Sequence, residues 1–415
     1  MTQPQSVQPP IPVLDPPRAP SRSEDGRRPA EPQEALRQPA LLVVATVAST
    51  LRSFLLPFGR HFRKQGWRVD AMASGVRGAG DLEESFDSLW EIQWTRNPLD
   101  PRNLTAAMRT VREVVVGRQY DIVHVHTPVA AFVARCALRK IRRQGKPKVV
   151  YTAHGFHFHR RGSTVGNLAF RALERIAGRW TDHLVVINRE DAEAACDHRI
   201  LPADRIHPMP GIGVDLEQYS AASAPPDRVA ELRKELGLGC AERLLVMVAE
   251  FIPRKRHRDL LLAFAQLARP DVHLALAGEG PLRPKTEALA ARLGLSARVH
   301  FLGMRRDVAV LMRAAEATIL PSQQEGLPRC VMESMCLHTP VIGTRIRGTE
   351  ELIDDGCGLA FEVGDIRGLA EAMAWVLDHP EAMRPMAERA WQRMRAYDVR
   401  QILDRHEALY RRALQ

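Results

Sequence analysis

Pro321-Ser-Gln-Gln-Glu-Gly-Leu-Pro-Arg-Cys-Val-Met-Glu333 is the stretch on which the reading of this chain turns. Two glutamates, Glu325 and Glu333, stand with seven residues between them. Gly326-Leu327-Pro328 makes a turn, and Val331, Met332 and Met335 then recur at helical spacing. Pro328 suits the first turn of that helix, where a missing N–H costs nothing. Glu325 therefore precedes a helix N-terminus and Glu333 lies more than a turn inside. Free N–H groups and the positive end of the dipole suit phosphate there. A carboxylate on each side can accept hydrogen bonds from hydroxyls. The combination suits a sugar nucleotide, which carries hydroxyls at both ends and a diphosphate between them.

Outward from this stretch the chain alternates strand and helix. Ala40-Leu-Leu-Val-Val-Ala-Thr46 is a continuous apolar run, the mark of a strand buried on both faces. A helix is expected around 55–66, then strands over 67–73 and 120–126, a basic helix over 129–144, and a strand over 148–152 ending in a His-Gly turn. A helix over 168–179 and a strand over 183–187 follow. The pattern restarts after Pro210-Gly-Ile-Gly-Val-Asp215. Strands are expected at 243–250, 272–277, 299–302, 317–321 and 341–343, with helices at 256–268, 283–293 and towards the C-terminus. This is the alternation of doubly wound α/β folds. The expected division is a Pro-rich disordered tail over 1–39, Rossmann-like domains over 40–210 and 211–395, and a helix over 396–415 packing back on the first domain. In such sheets ligands bind at the carboxyl ends of the strands. His154, Gly278, Gly303 and Glu325 all fall there.

Composition narrows the function further. The 415 residues favour two domains, and the formal charge is +10. No apolar run is long enough to span a bilayer, and the start has no apolar signal-peptide core. The six cysteines show neither a CxxC pair nor metal-ligand spacing and read as buried thiols of a reducing compartment. Seven of the residues 135–148 are Arg or Lys and none is acidic. This segment is expected to meet an anionic membrane surface or phosphorylated substrates. Nucleic acid is disfavoured, because no aromatic residues interleave with the basic ones. No GxGxxG follows the first strand, which argues against a dinucleotide dehydrogenase.

The glutamate pair resembles the E-x7-E motif of retaining glycosyltransferases of family 4, which have the GT-B fold. Other segments agree in order. Val248-Ala-Glu-Phe-Ile-Pro-Arg-Lys255 is similar to the family's Gly-Arg-Leu-x-x-x-Lys segment, Gly278-Glu-Gly-Pro281 to its Gly-x-Gly-Pro loop, and Phe301-Leu-Gly-Met304 to its next strand end. Tyr151-Thr-Ala-His-Gly-Phe-His-Phe158 resembles a subgroup that assembles bacterial capsule, exopolysaccharide and lipopolysaccharide sugars. Glu250 stands where the family usually has arginine.

The resemblance implies transfer of a hexose or N-acetylhexosamine from a nucleoside-diphosphate sugar, UDP-linked at the family level, to a lipid-linked saccharide. The enzyme would work as a cytoplasmic, peripheral protein at the inner membrane face, without a cofactor. Lys255 would neutralise the leaving diphosphate, with Arg254 as the second cation. Glu325 would accept from donor-sugar hydroxyls and Glu333 from the ribose. The N–H groups of Gly326, Leu327 and Arg329 would face the sugar and diphosphate. Gly278 and Gly280 would let the backbone approach, and Gly303, Met304 and Arg305 would carry the base. His154 would face the reacting centre as a neutral imidazole. The loop Thr46–Thr50 would be where donor and acceptor meet. No metal is expected, since no Asp-x-Asp occurs. The competing readings are a sugar-nucleotide 2-epimerase of the same fold and a catalytically dead sugar-nucleotide-binding protein.

Overall fold

The computed structural model describes residues 38–94, 100–159 and 162–415. The expected tail lies almost wholly outside these residues. Among the described residues thirteen strands form two sheets. The first contains β1 (Ala40–Val47), β2 (Arg68–Ser74), β3 (Ser88–Glu91), β4 (Ile122–His126), β5 (Lys148–Ala153), β6 (His183–Val186) and β7 (Ile206–Pro208), in the order β3-β2-β1-β4-β5-β6-β7. The second contains β8 (Arg243–Val248), β9 (Val272–Ala277), β10 (Val299–Gly303), β11 (Ala317–Leu320), β12 (Val341–Thr344) and β13 (Leu359–Phe361), in the order β10-β9-β8-β11-β12-β13. Every pairing within the two sheets is parallel. The order reverses beside β1 in one sheet and beside β8 in the other. Each reversal opens a crevice at the carboxyl edge.

Three strands, β3, β7 and β13, escape the sequence reading. All lie at a sheet edge and are short or only partly apolar, so neither alternation nor a buried run marks them. The first βα connection also differs from expectation. Ala48–Thr50 is already helical and continues through a π-turn, Leu51–Leu55, into Leu56–Lys64. The cysteines are free, as six thiols, but Cys196 and Cys240 are exposed rather than buried.

The C-terminal helix Val399–Leu414 leaves the second sheet's neighbourhood and enters the first half's core. Ile402, Leu403, Leu409 and Tyr410 pack with Phe58 and Phe62. Backbone bonds fix the crossing: Val214 N–H donates to Tyr397 O at 2.9 Å, and Val399 N–H donates to Val214 O at 3.0 Å.

Tyr410 also bonds the buried His124, which leads into a column of histidines. His124 lies beside His126 with the rings tilted and their centroids 4.1 Å apart, and His126 Nδ1 lies 3.0 Å from His154 Nε2. His406 lies beside His124 and keeps Nδ1 on Ile402 O at 2.8 Å. Burial pushes His124 and His126 well below the usual histidine range, and His154 and His406 down to about 4. The unfolded chain binds these protons near pH 6.5 and the folded one only at markedly lower pH. Stability is therefore expected to fall as pH drops from about 6.5 towards 4, by up to about 1.4 kcal/mol per pH unit for each such group. Urea unfolding at pH 7.5, 6 and 5 measures this. A flat profile would contradict the burial of the column.

Candidate active site

The stretch Pro321–Glu333 leaves β11 at its carboxyl end, and the helix it feeds runs over Arg329–Cys336. Pro328 is the cap residue in extended conformation, one position earlier than the sequence suggests. The helix is otherwise as its apolar spacing dictates: Val331, Met332 and Met335 are fully buried.

Glu325 is almost buried and lies in a group of charges drawn from two loops. Its Oε1 is 2.5 Å from Lys255 Nζ, and its Oε2 is 3.6 Å from Arg254 Nη1. Lys255 and Arg254 belong to the short 3-10 turn Pro253–Lys255 after β8. Backbone ties the two loops together, with Gln323 N–H donating to Arg254 O at 2.7 Å. Two cations against one carboxylate leave a net positive group at the strand ends, suited to a diphosphate. Glu250 is exposed and has no part in it.

Glu333 is nearly buried and faces Arg329, with Nε 2.7 Å from Oε1. Tyr219 lies beside both partners, and burial, with Glu333 next, raises the phenol's pKa. The carboxylate thus has a cation one turn away on its own helix and a phenol from another part of the chain beside it.

His154, at the end of β5, meets the glutamate loop from the other half. The contact is backbone to backbone: a Cβ on Gly326 would sit 1.9 Å from His154 O, and a Cβ on Gly155, at φ +113°, would sit 2.9 Å from Gly326 Cα. Glycine at both positions is what allows this approach. His154, Arg254, Glu325, Gly326, Leu327 and Arg329 line one cavity of about 210 Å³, joined by Thr50, Phe54 and Thr127 of the first half. Lys255 touches it through Glu325. Thr46 and Thr127 join at the same edge, their hydroxyls 2.7 Å apart.

The remaining expected residues are outside this cavity's lining. Gly278 and Gly303 stand together, Gly278 N–H donating to Gly303 O at 2.7 Å. Gly278 packs so closely on Ala249 that a Cβ would lie 2.1 Å from its carbonyl oxygen. Met304 is exposed. Arg305 is tied to Asp307 and Glu235, each at 2.6 Å, so its guanidinium is engaged within the protein.

The sequence reading missed Arg347, Asp191, Asn188 and His126. Arg347 Nη1 pairs with Asp191 Oδ1 at 2.8 Å, and the two side chains are 6% and 1% exposed. Arg347 also donates to Phe156 O at 3.0 Å and to Glu325 O at 3.2 Å. Asn188 donates to Asp191 Oδ2 at 2.7 Å and to Gly326 O at 3.2 Å. These groups clasp the histidine loop to the glutamate loop. The one local signal was position: Asn188 follows β6 and Arg347 follows β12, both at carboxyl edges.

Part of the basic segment 135–148 is engaged within the protein. Arg135 is fully buried, stacked 4.0 Å from the Tyr151 ring centroid and paired with Glu174 at 3.0 Å. Arg142 pairs with Asp182, and Lys146 with Asp121 at 2.6 Å. Acidic partners distant in sequence thus engage three of the seven cations.

Comparison with known proteins agrees with this geometry. Residues 53–218 match the family described as Glycosyltransferase Family 4, and residues 229–393 match Glycosyl transferases group 1. A Bacillus subtilis (strain 168) protein whose name, EpsD, carries the glycosyltransferase designation is 35% identical over 351 residues, 84% of this chain and 90% of the relative. The chain belongs to glycosyltransferase family 4. It is also similar to the Escherichia coli UDP-Gal:alpha-D-GlcNAc-diphosphoundecaprenol alpha-1,3-galactosyltransferase, at 29% identity over 63% of this chain and 67% of the relative. Its fold matches Anabaena HepE, crystallised with UDP and glucose, with TM-score 0.75 and 21% identity over 90% of this chain and 99% of that one. The glycosyltransferase thus has the two parallel-sheet halves of the GT-B fold. Among its described residues no helix is long and apolar enough to cross a membrane.

Proposed function

We propose that this glycosyltransferase moves a hexose or N-acetylhexosamine from a UDP-sugar to a lipid-linked saccharide acceptor, with retention at the anomeric carbon. The observation that carries the reading is the meeting, in one cavity, of Glu325 with its two cations and His154 from the opposite half. Lys255 and Arg254 stabilise the charge that grows on the diphosphate as the glycosidic bond breaks. Glu325 orients the donor sugar and Glu333 the ribose. His154, kept neutral by burial, can hydrogen-bond the sugar or accept the acceptor's proton. The lipid-linked acceptor is supported by the Escherichia coli relative, whose name specifies a diphosphoundecaprenol-linked acceptor.

The test is incubation with a panel of nucleoside-diphosphate sugars, with and without a polyprenyl-diphosphate saccharide. Transfer only with acceptor supports the reading. Acceptor-free conversion of the donor would mark an epimerase, and binding without turnover a dead site. A product of inverted configuration would refute retention.

The cations at Glu325 also predict activity in excess EDTA. Among the described residues, the one group of three potential metal ligands is His61, Asp404 and Glu407, none of which lines the cavity. Loss of transfer in chelator, restored by manganese or magnesium, would overturn charge neutralisation by Lys255 and Arg254 alone.

A further inference from the structure

The helix Thr164–Gly178 presents an unusual face. Val165 and Leu168 are 81% and 65% exposed, and Leu173 and Ile176 are exposed as well. They account for half of the large apolar side chains that are exposed among the described residues. Their positions, with the exposed Ala169 and Ala172, follow the three- and four-residue spacing of one helical face. Arg171, Arg175 and Arg179 recur every fourth residue along one flank. Soluble surfaces rarely carry an apolar stripe of this kind without a partner.

The arginine flank continues into a second feature. Arg175 and Arg179 help line an open cavity of about 600 Å³, together with Arg142, Arg199 and Arg205. No acidic residue lines it. Arg142 is committed to Asp182, whereas the other four have no carboxylate ion pair among the described residues. Guanidinium forks at this density suit phosphate oxygens. An apolar stripe bordered by free guanidinium groups is the pattern of a helix lying in a membrane interface, apolar face in the acyl boundary and cations among anionic headgroups.

We infer that this face docks the protein on an anionic lipid bilayer, with Val165, Leu168 and Ile176 entering the interface and the arginine cavity taking headgroup phosphates. This deepens the lipid-linked acceptor reading and shifts the contact from segment 135–148 to the helix that Arg135 pins through Glu174. The placement serves the site. The helix begins directly after the loop that carries His154, and Asn167 Nδ2 donates to His159 O at 2.9 Å. An enzyme docked here would hold its donor site next to the surface that carries the acceptor.

The experiment is sedimentation of the full chain with phosphatidylcholine vesicles, with and without phosphatidylglycerol, at low and high salt. Binding should require the anionic lipid and weaken with salt, because headgroup attraction is screened over about 8–10 Å. Leu168→Glu with Ile176→Glu should lower binding by about tenfold or more, since two charges would enter the apolar boundary. Arg175→Glu with Arg179→Glu should abolish the preference for anionic lipid. All four positions are exposed, so the melting temperature and the UDP-induced thermal shift should stay as in the parent. Undiminished binding by the Leu168 and Ile176 variant overturns the inference. So does a parent dimer that the same variant splits, with no vesicle binding, which would make the stripe a contact between copies. Vesicle binding is read without donor and donor binding without vesicles, so the lipid surface and the transferase reading fail separately.

Discussion

Glu325→Gln is expected to cut turnover by about 100-fold or more while leaving the fold intact. The substitution keeps size and one acceptor oxygen, so the packing of this nearly buried side chain survives. It removes the charge that faces Lys255 at 2.5 Å and Arg254 at 3.6 Å. A neutral amide holds the ammonium less firmly and accepts sugar hydroxyls more weakly than a carboxylate does. Both losses matter most when the leaving diphosphate and the oxocarbenium-like sugar develop charge, so the effect belongs in kcat. Glu333→Gln should do the opposite. Glu333, which faces Arg329 beside Tyr219, is proposed to accept from the nucleotide, so its loss should raise KM and spare kcat. Steady-state kinetics of the two variants separates the roles. Wild-type rates in both would sink the assignment of the motif.

Arg347→Ala is expected to cost about 3–5 kcal/mol of stability, the usual penalty for leaving one partner of a buried ion pair alone. Burial already raises the Asp191 pKa, while Arg347 and Asn188 pull it down. Without Arg347 the carboxyl should shift further upward. The defect relative to wild type should then be largest near neutral pH and shrink as acid protonates Asp191, because a neutral carboxyl has no charge to compensate. Turnover should fall as well. The same guanidinium bonds the Phe156 and Glu325 carbonyls, so its loss frees the histidine loop from the glutamate loop. Urea unfolding across pH, with an Arg347→Ala/Asp191→Ala cycle, measures the coupling. A change below about 1 kcal/mol would mean that solvent already screens the pair.

Much of the fold was legible in the order of residues. The continuous apolar run Ala40–Thr46 is buried on both faces of a parallel sheet, and no polar alternation was needed to recognise it. The Gly-Leu-Pro turn with the helical spacing after it placed Glu325 before a helix and Glu333 within it, because propensity and periodicity act over a few residues. The edge strands β3, β7 and β13 were not legible, since short edge segments carry neither signal.

Side-chain partnerships were beyond that local reading. Lys255 and Glu325 are seventy residues apart in the chain and 2.5 Å apart in space. Arg135 stands in a run of basic residues and reads as solvated, yet it is fully buried on Tyr151 and Glu174. The sequence reading gives only a helix over 168–179, and the structure shows that the apolar face of Thr164–Gly178 points outward. The physical reason is the range of the forces. Backbone preference and hydrophobic periodicity are written in neighbouring residues. Coulomb attraction and desolvation depend on distance and burial, and those exist only once the two sheets have brought their carboxyl edges together.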